Sequence, residues 1–478
     1  MSAPASLLDL EADVARDLDL LAFRGADWTI ARQHEGAPVL DVAIVGGGQS
    51  GLAAAFALIG ERISNILVLD ENPAGQEGPW VTYARMRTLR TPKHLTGIDL
   101  GIPSLTFRAW YEAQFGRSGW DALGKIPRGQ WMEYLLWYRR VLNLPVRNDA
   151  RVTDVTPVVP GLFRVMLADG EALLARKVVL ATGIQGGGEW HVPDFVKRAL
   201  PDRLYAHTSA AIDYPALRGK SIGILGIGAS AFDNATAALE AGVAEVHVFA
   251  RRAELPRINP IRFMEAVGFT PRYPELSDAD KYRVMADFLT KNQPPTTDMF
   301  EAAAAHPGFQ LHLGSPWTAV EEVNGKAQVT TPTGGHTFDF LVLSTGLLSD
   351  PALRPELAGL ASRIARWRDR YTPPEGQANA LLDAHPYLGP AFQFLPRDPQ
   401  DAPMLHGLFA FNYSALASIG LSASALSGLK HAIPRLARGI ADQLFQDDAP
   451  QLIDALLAYQ EEEFVSEWPR AARSEAAE

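Results

Sequence analysis

No cysteine occurs anywhere in the 478 residues. Disulfides, thiolate zinc sites, iron–sulfur clusters and thiol nucleophiles are therefore excluded. A redox dithiol is excluded with them. An excess of positive charge is also lacking: Lys and Arg number 44 against 55 Asp and Glu, a net charge of −11. The first twenty residues hold five acids and one base, and residues 441–478 hold ten acids and two bases, so the ends are acidic and the body is near neutral. Nucleic-acid binding needs a concentrated positive face, which this distribution does not offer. The opening MSAPASLLDLEADVARDLDL has no long apolar run, which argues against a signal peptide and for the cytoplasm. Residues 402–429 lack Asp, Glu, Lys and Arg over a length that could span a bilayer. Five serines, His406, Asn412 and Tyr413 lie within it, so it reads as a buried helix with a polar lining, not a membrane span.

What is present is an internal repeat. Copy one reads DVAIVGGGQSGLAAAFALIG and then NILVLDE; copy two reads SIGILGIGASAFDNATAALEAG and then EVHVFARR. Each is an apolar run, a glycine-rich turn, an alanine-rich helical stretch and a second apolar run, the βαβ pattern of a parallel sheet. The spacing of 180 residues between Gly46 and Gly226 is too long for a solenoid and fits two separate dinucleotide-binding units. Each unit leads to a buried-strand pattern ending in a small turn, KVVLATG at Thr182 and Gly183, and DFLVLSTG at Thr345 and Gly346. Residues 1–38 read as a helical preface, with Leu7, Leu8, Leu10 and Val14 at helical spacing. Residues 255–305 are rich in Pro, Arg and aromatics, and 415–465 read as helical with Pro434 inside.

In copy one, Gly46 permits the tight strand-to-helix turn, Gly48 admits a pyrophosphate and Gly51 allows close packing of helix on strand. The helix start, which includes Ser50, presents free N–H groups and a positive dipole end to phosphate. Asp70, followed by Glu71, ends the next strand 24 residues after Gly46, where an acid accepts hydrogen bonds from ribose hydroxyls. In copy two the turn residues are Gly226, Gly228, Ser230 and Ala231, but the slot of Asp70 is taken by Arg251 and Arg252. Guanidinium groups bind a 2′-phosphate that a carboxylate would repel. Copy one is thus expected to bind a nucleotide with free ribose hydroxyls, and copy two NADP. Two dinucleotides in one chain suggest hydride transfer from NADPH to FAD. Without a dithiol, the electrons must leave to oxygen, a quinone or another protein.

GGGQSG at 46–51, Asp70, EGPW at 77–80, ATG at 181–183, GIGASA at 226–231, Arg251, Arg252 and STG at 344–346 together resemble the class B flavoprotein monooxygenases. This family comprises flavin-containing and Baeyer–Villiger monooxygenases and the amine N-hydroxylases. The resemblance spans about residues 40–440. It implies an α/β fold of two Rossmann-like domains, with the NADPH domain inserted into the FAD domain. The division expected is a helical extension at 1–38, FAD-binding segments at 39–196 and 335–440, an NADP-binding domain at 197–334 carrying the 255–305 insert, and an acidic helical tail at 441–478. The resemblance further implies that O2 adds to reduced flavin as a C4a-(hydro)peroxide and that one oxygen atom passes to a small molecule. Members of the family often self-associate, so a homo-oligomer is compatible with it. His207 ends the stretch matching the family's FxGxxxH fingerprint, while Pro201 and Arg203 replace its Phe and Gly, which tilts the expectation from ketones towards an amine nitrogen.

For substrate and flavin contacts, attention falls on residues 78–98, which contain no acid but hold Arg85, Arg87, Arg90, Lys93 and His94. Arg90 and Lys93 are candidates for an anionic substrate group or the pyrophosphates, or else belong to a solvated basic loop. Trp80 is a candidate to pack on the isoalloxazine ring, and Asn412 to approach its pyrimidine end. His306 and His312 lie six apart with no third ligand in the vicinity and read as structural. An NAD(P)H:quinone or protein-acceptor oxidoreductase, and a non-catalytic binding protein on a flavoprotein scaffold, remain as alternative readings.

Overall fold

A computed structural model of the chain describes residues 6–464 and 466, apart from residues 96, 267, 423 and 424. The apolar runs of copy one form the centre of an eight-stranded sheet. Val146–Arg147, Ile66–Leu69, Ala37–Val45 and Ala172–Leu180 lie side by side in parallel. Leu162–Leu167 and Val152–Val159 extend the sheet as an antiparallel hairpin. Residues 41–45 are buried on both faces, as a continuous apolar run in a parallel strand requires. Copy two builds a second, all-parallel sheet in the order Phe309–His312, Glu245–Phe249, Ser221–Leu225, Phe340–Leu343, Tyr205–His207.

The chain leaves the first sheet after Leu180 and returns to it as Leu408–Ala410, which pairs in parallel with Ala172–Leu180. Everything in the second sheet lies between these points. The two crossings, Gly188–Trp190 and Leu347–Ser349, run antiparallel to each other as a two-stranded ribbon. Strand Phe340–Leu343 lies beside Ser221–Leu225, so the second unit closes near residue 343 and not at 334 as expected. The reason is the repeat itself: STG ends a strand of the second sheet as ATG ends one of the first.

Two further expectations are corrected. Residues 402–429 do not form one helix. Gly407 and Gly420, with φ of 101° and 78°, break the stretch into Ala402–Leu405, strand Leu408–Ala410, a 3-10 turn Tyr413–Ala415 and helix Leu416–Ile419. The tail does not begin at 441 either, because helix Leu426–Leu457 runs through it despite Pro434 and Pro450. No helix among the described residues is long and apolar enough to cross a membrane.

The preface contains helix Leu7–Leu20, capped by Ser6, whose Oγ accepts from the Asp9 N–H. Leu10 and Val14 are buried, while Leu8 faces solvent. The 255–305 insert forms helices Pro260–Ala266, Phe269–Arg272, Asp278–Lys291 and Thr297–Ala304. Its Met264, Tyr273, Tyr282 and Met285 share a core with Trp367 and Leu416, so it bridges the inserted unit to the returning chain.

Candidate functional site

The first glycine-rich turn joins strand Ala37–Val45 to helix Gln49–Gly60. Gly46 has φ 109°, and a Cβ there would collide with the Ala181 carbonyl oxygen. A Cβ on Gly51 would collide with the Gly46 carbonyl oxygen. At Gly48 the space is open, with nothing nearer than the Gly78 Cα at 4.0 Å. This cradle fits a dinucleotide pyrophosphate: the helix opens without a side-chain cap, which leaves its first N–H groups for phosphate. Asp70 is buried beside it and accepts from the Gly47 N–H at 2.7 Å and the Asn72 N–H at 2.8 Å. A carboxylate has four lone-pair directions, so capacity remains for a ribose hydroxyl. Glu71 does not join it; its side chain is on the surface, 3.8 Å from Arg151.

The second turn repeats this geometry closely. Gly226 has φ 108°, and a Cβ on it would collide with the Ser344 carbonyl oxygen, the counterpart of Ala181. Ala181 and the Thr182 backbone nitrogen thus abut the first turn and Ser344 the second, whereas the Thr345 hydroxyl donates to the His191 carbonyl. Gly228 opens helix Ala229–Glu240, again without a side-chain cap. Ala231 is buried, and Ser230 is exposed at the helix start, whereas its counterpart Ser50 is buried.

The paired arginines divide. Arg251 is exposed and makes no hydrogen bond or ion pair among the described residues. Arg252 instead donates to the Thr290 and Lys291 carbonyls at the end of helix Asp278–Lys291. That corrects its expected role, because a guanidinium capping a helix C-terminus is held away from phosphate. Arg251→Ala is accordingly expected to raise KM for NADPH by about 10-fold or more while leaving KM for NADH unchanged. Steady-state kinetics with both nucleotides check this, and Arg252→Ala should keep the wild-type preference.

Several other candidates are committed elsewhere. Lys93 donates to the Trp120 and Leu123 carbonyls and lies 4.6 Å over the Trp120 ring, so it caps helix Phe107–Ala122 and does not face a substrate. Arg90 reaches Asp233 on helix Ala229–Glu240 at 3.1 Å. Burial pushes Asp233 up to about 6 against the pull of Arg90. A cavity of about 170 Å³ lies here between residues 85–90 and helices Ala229–Glu240 and Thr297–Ala304. Arg87 is paired with Glu240. Trp80 meets Trp131 edge-on at 6.3 Å and is 9% exposed, so its ring fills core and does not stand free for a cofactor face.

Asn412 is a positioning residue. Its amide donates to the Leu180 and Gly186 carbonyls and to Thr182 Oγ1 at 3.1–3.2 Å, and its Oδ1 accepts from the Ser414 N–H and hydroxyl. With its donors and acceptor engaged and 1% exposure, it locks the ATG turn and does not act on the flavin.

His207 sits on the edge strand of the second sheet. It stacks on Trp190 at 5.0 Å, and Trp190 meets Tyr83 at 6.0 Å. Its Nδ1 accepts from the Ser209 N–H, which puts the ring proton on Nε2, and burial lowers its pKa to about 4. It is a neutral ring packed against the ribbon through Trp190, two strands away from the Gly226 turn.

Glu77, the first residue of the EGPW motif, and Arg128, which no motif included, complete the picture. Glu77 is buried and accepts from Arg139 at 2.9 Å, Asn148 at 2.6 Å and the Gly75 N–H at 2.8 Å, which ties the EGPW loop to its neighbours. Arg128 donates to the Trp80 carbonyl. Burial, and then the charge of Arg85, lower its pKa. Neither Arg85 nor Arg128 has a carboxylate partner among the described residues. Arg85 donates instead to the Thr82 and Ile212 carbonyls at 3.3 and 3.2 Å and lies 5.9 Å from the Tyr214 ring centroid. Arg128 carried no sequence signal, since it lies 43 positions from Arg85.

Comparison with known proteins finds flavin- and nicotinamide-dependent enzymes. A model described as FAD-NAD(P)-binding matches residues 43–185, and one described as L-lysine 6-monooxygenase/L-ornithine 5-monooxygenase matches residues 122–292. The chain is 61% identical over 472 residues to a FAD-dependent urate hydroxylase of Xanthomonas campestris pv. campestris, covering 98% of this chain and 100% of that one. Among solved structures it resembles an ornithine hydroxylase from Pseudomonas aeruginosa, with TM-score 0.67 and 18% identity over 85% of this chain and 100% of that one. It also resembles an ornithine N-hydroxylase from Kutzneria sp. 744, with TM-score 0.65 and 17% identity over 85% and 100%.

Proposed function

The chain belongs to the class B flavoprotein monooxygenases, and from that premise we propose that its substrate is urate. In this reading one atom of O2 enters urate, the other leaves as water, and NADPH supplies the two electrons. FAD, when bound at the first turn, supplies the oxygen-activating chemistry. The chain's own residues hold and orient. The turn at Gly46–Gly51 takes the pyrophosphate, Asp70 a ribose hydroxyl, and Arg251 the 2′-phosphate of the nicotinamide nucleotide.

The observation that carries the reading is the 61% identity to the urate hydroxylase over essentially the whole of both chains. It outweighs the earlier lean towards an amine, since at 17–18% identity the ornithine enzymes share a fold and nothing finer. The pair Arg85 and Arg128 suits a planar anion such as urate, because guanidinium groups pair with anionic oxygens at low cost in hydration.

The test is NADPH oxidation by the FAD-loaded enzyme with urate, ornithine or a quinone, with hydrogen peroxide measured in parallel. Urate alone should couple NADPH oxidation to its own consumption, with one atom of labelled O2 recovered in product. Tight coupling to an amine, or quinone turnover without labelled product, would overturn the proposal. Within it, Arg85→Ala and Arg128→Ala are each expected to raise KM for urate by about 10-fold or more. Unchanged kinetics in both would remove these two arginines from the site.

A further inference from the structure

The second sheet has two unlike faces. Helix Ala229–Glu240 covers one, packing Phe232 and Ala235 on Ile222, Ile224, Val246 and Val248. The antiparallel meander Ala319–Val323, Lys326–Thr331 and Gly334–Phe338 covers the other, over Phe249, Leu341 and Leu343. Alternation along strand Glu245–Phe249 puts His247 on the meander side together with Phe249. His312, at the end of strand Phe309–His312, pairs with Phe249 in register and stacks on its ring at 4.5 Å. His336 comes down from the meander. Three imidazoles separated by 65 and 24 positions in sequence thus meet under one small sheet.

Their ring nitrogens converge. One nitrogen from each histidine lies within 4.8 Å of the other two. His312 Nε2 and His247 Nδ1 are 3.1 Å apart. Tetrahedral ligands at about 2.1 Å from a metal stand about 3.4 Å from each other, so the His247–His312 pair is already near that spacing, and the third imidazole would close by up to about 1.4 Å by turning about its side-chain bonds. The outer contact is also in place. The other nitrogen of His247, Nε2, is buried without a hydrogen-bond partner and lies 3.6 Å from a Glu245 carboxylate oxygen. A carboxylate behind the remote nitrogen is the arrangement that orients metal-bound imidazoles. A hydrogen bond between His312 and His247 accounts for those two nitrogens facing each other, but neither it nor core packing requires the nitrogen of His336 to turn to the same point.

We propose that His247, His312 and His336 form a binding site for a divalent transition metal of the zinc class, with water as fourth ligand and Glu245 orienting His247. Imidazole donors suit zinc, copper and nickel and disfavour calcium and magnesium. The ion would staple the meander to two strands of the nucleotide-binding sheet. It lies on the face opposite the nucleotide helix and takes no part in the flavin reaction.

The experiment uses full-length, FAD-loaded protein without a histidine tag, titrated with Co2+ and then Zn2+. One equivalent of Co2+ should produce the visible d–d absorption of a tetrahedral site, and one equivalent of Zn2+ should abolish it. His312→Gln and His336→Gln should each lose the band while keeping bound FAD and wild-type turnover, which shows that both variants are folded. Glu245→Gln should keep the band with affinity lowered about 10-fold. Absence of the band in the wild-type protein, or its survival in both glutamine variants of the histidines, would overturn the proposal.

Discussion

Replacing Gly46 or Gly51 by alanine is expected to yield a protein that purifies colourless. At Gly46 the backbone lies at φ 109°, where a Cβ is strained, and the new methyl group would run into the Ala181 carbonyl oxygen. At Gly51 it would run into the Gly46 carbonyl oxygen. Both obstacles are backbone atoms, so relief requires the turn itself to move, and the turn is what aims the helix N–H groups at the pyrophosphate. The second fingerprint carries Ala231 at the place of Gly51, which makes Gly51→Ala look mild on sequence grounds alone. The measurement is the visible spectrum and FAD content of each purified variant, with circular dichroism to confirm a folded chain. A Gly51→Ala protein with wild-type FAD content would show that the turn yields more readily than its packing implies.

The second large effect concerns stability. Arg176 is 2% exposed on strand Ala172–Leu180. It donates to both carboxylate oxygens of Asp448 at 2.7 and 2.9 Å and to Asp41 at 3.1 Å. Arg32 also reaches Asp448. Beside this cluster the buried Lys177 pairs with Asp447 at 2.7 Å, and His406 with the same group at 2.8 Å. The cluster ties helix Leu426–Leu457 to the first sheet. Arg176→Met strands two carboxylates in a place with little water, at a cost of about 3–5 kcal/mol. Chemical denaturation should show the loss in the transition that reports FAD release. A midpoint unchanged from wild type would mean that water or Arg32 compensates.

The same cluster gives the protein an acid limit. Burial pushes Asp447 up, but the hydrogen bond from His406 and the Lys177 ammonium outweigh it and hold the group at about 2. Burial likewise raises Asp448 and is outweighed by Arg176 and Arg32. Carboxylates depressed in the folded state stabilise it fully above their ordinary value of 3.8, and that contribution is lost as pH falls through the folded value. The window is therefore about pH 4 to 2. Asp41 works in the opposite direction, because burial outweighs Thr29 and Arg176 and raises it.

Much of this protein is legible residue by residue because its signals are local. Continuous apolar runs, glycines at three-residue spacing and an acid or an arginine at the end of the next strand all fall within about 25 positions. Each reflects a steric or electrostatic demand that neighbouring residues meet among themselves. The two turns and the contrast of Asp70 with Arg251 could be read in this way, while the insertion of one unit into the other followed only from the family resemblance. The lack of cysteine likewise closes the dithiol route whatever the fold.

What escaped reading depends on partners far apart in the chain. Asn412 looked like a flavin contact and proved to be the lock on a turn at 180–186. Arg252 looked like the twin of Arg251 until the helix ending at Lys291 claimed it. Arg176 and Asp448 are 272 positions apart, and the three histidines come from three strands of two sheets. The chain's chemistry can be inferred from short-range pattern, because backbone sterics and charge act on neighbours. Which polar groups stay free for a ligand is settled only on folding, when burial forces every buried donor and acceptor to find a partner wherever the chain has brought one.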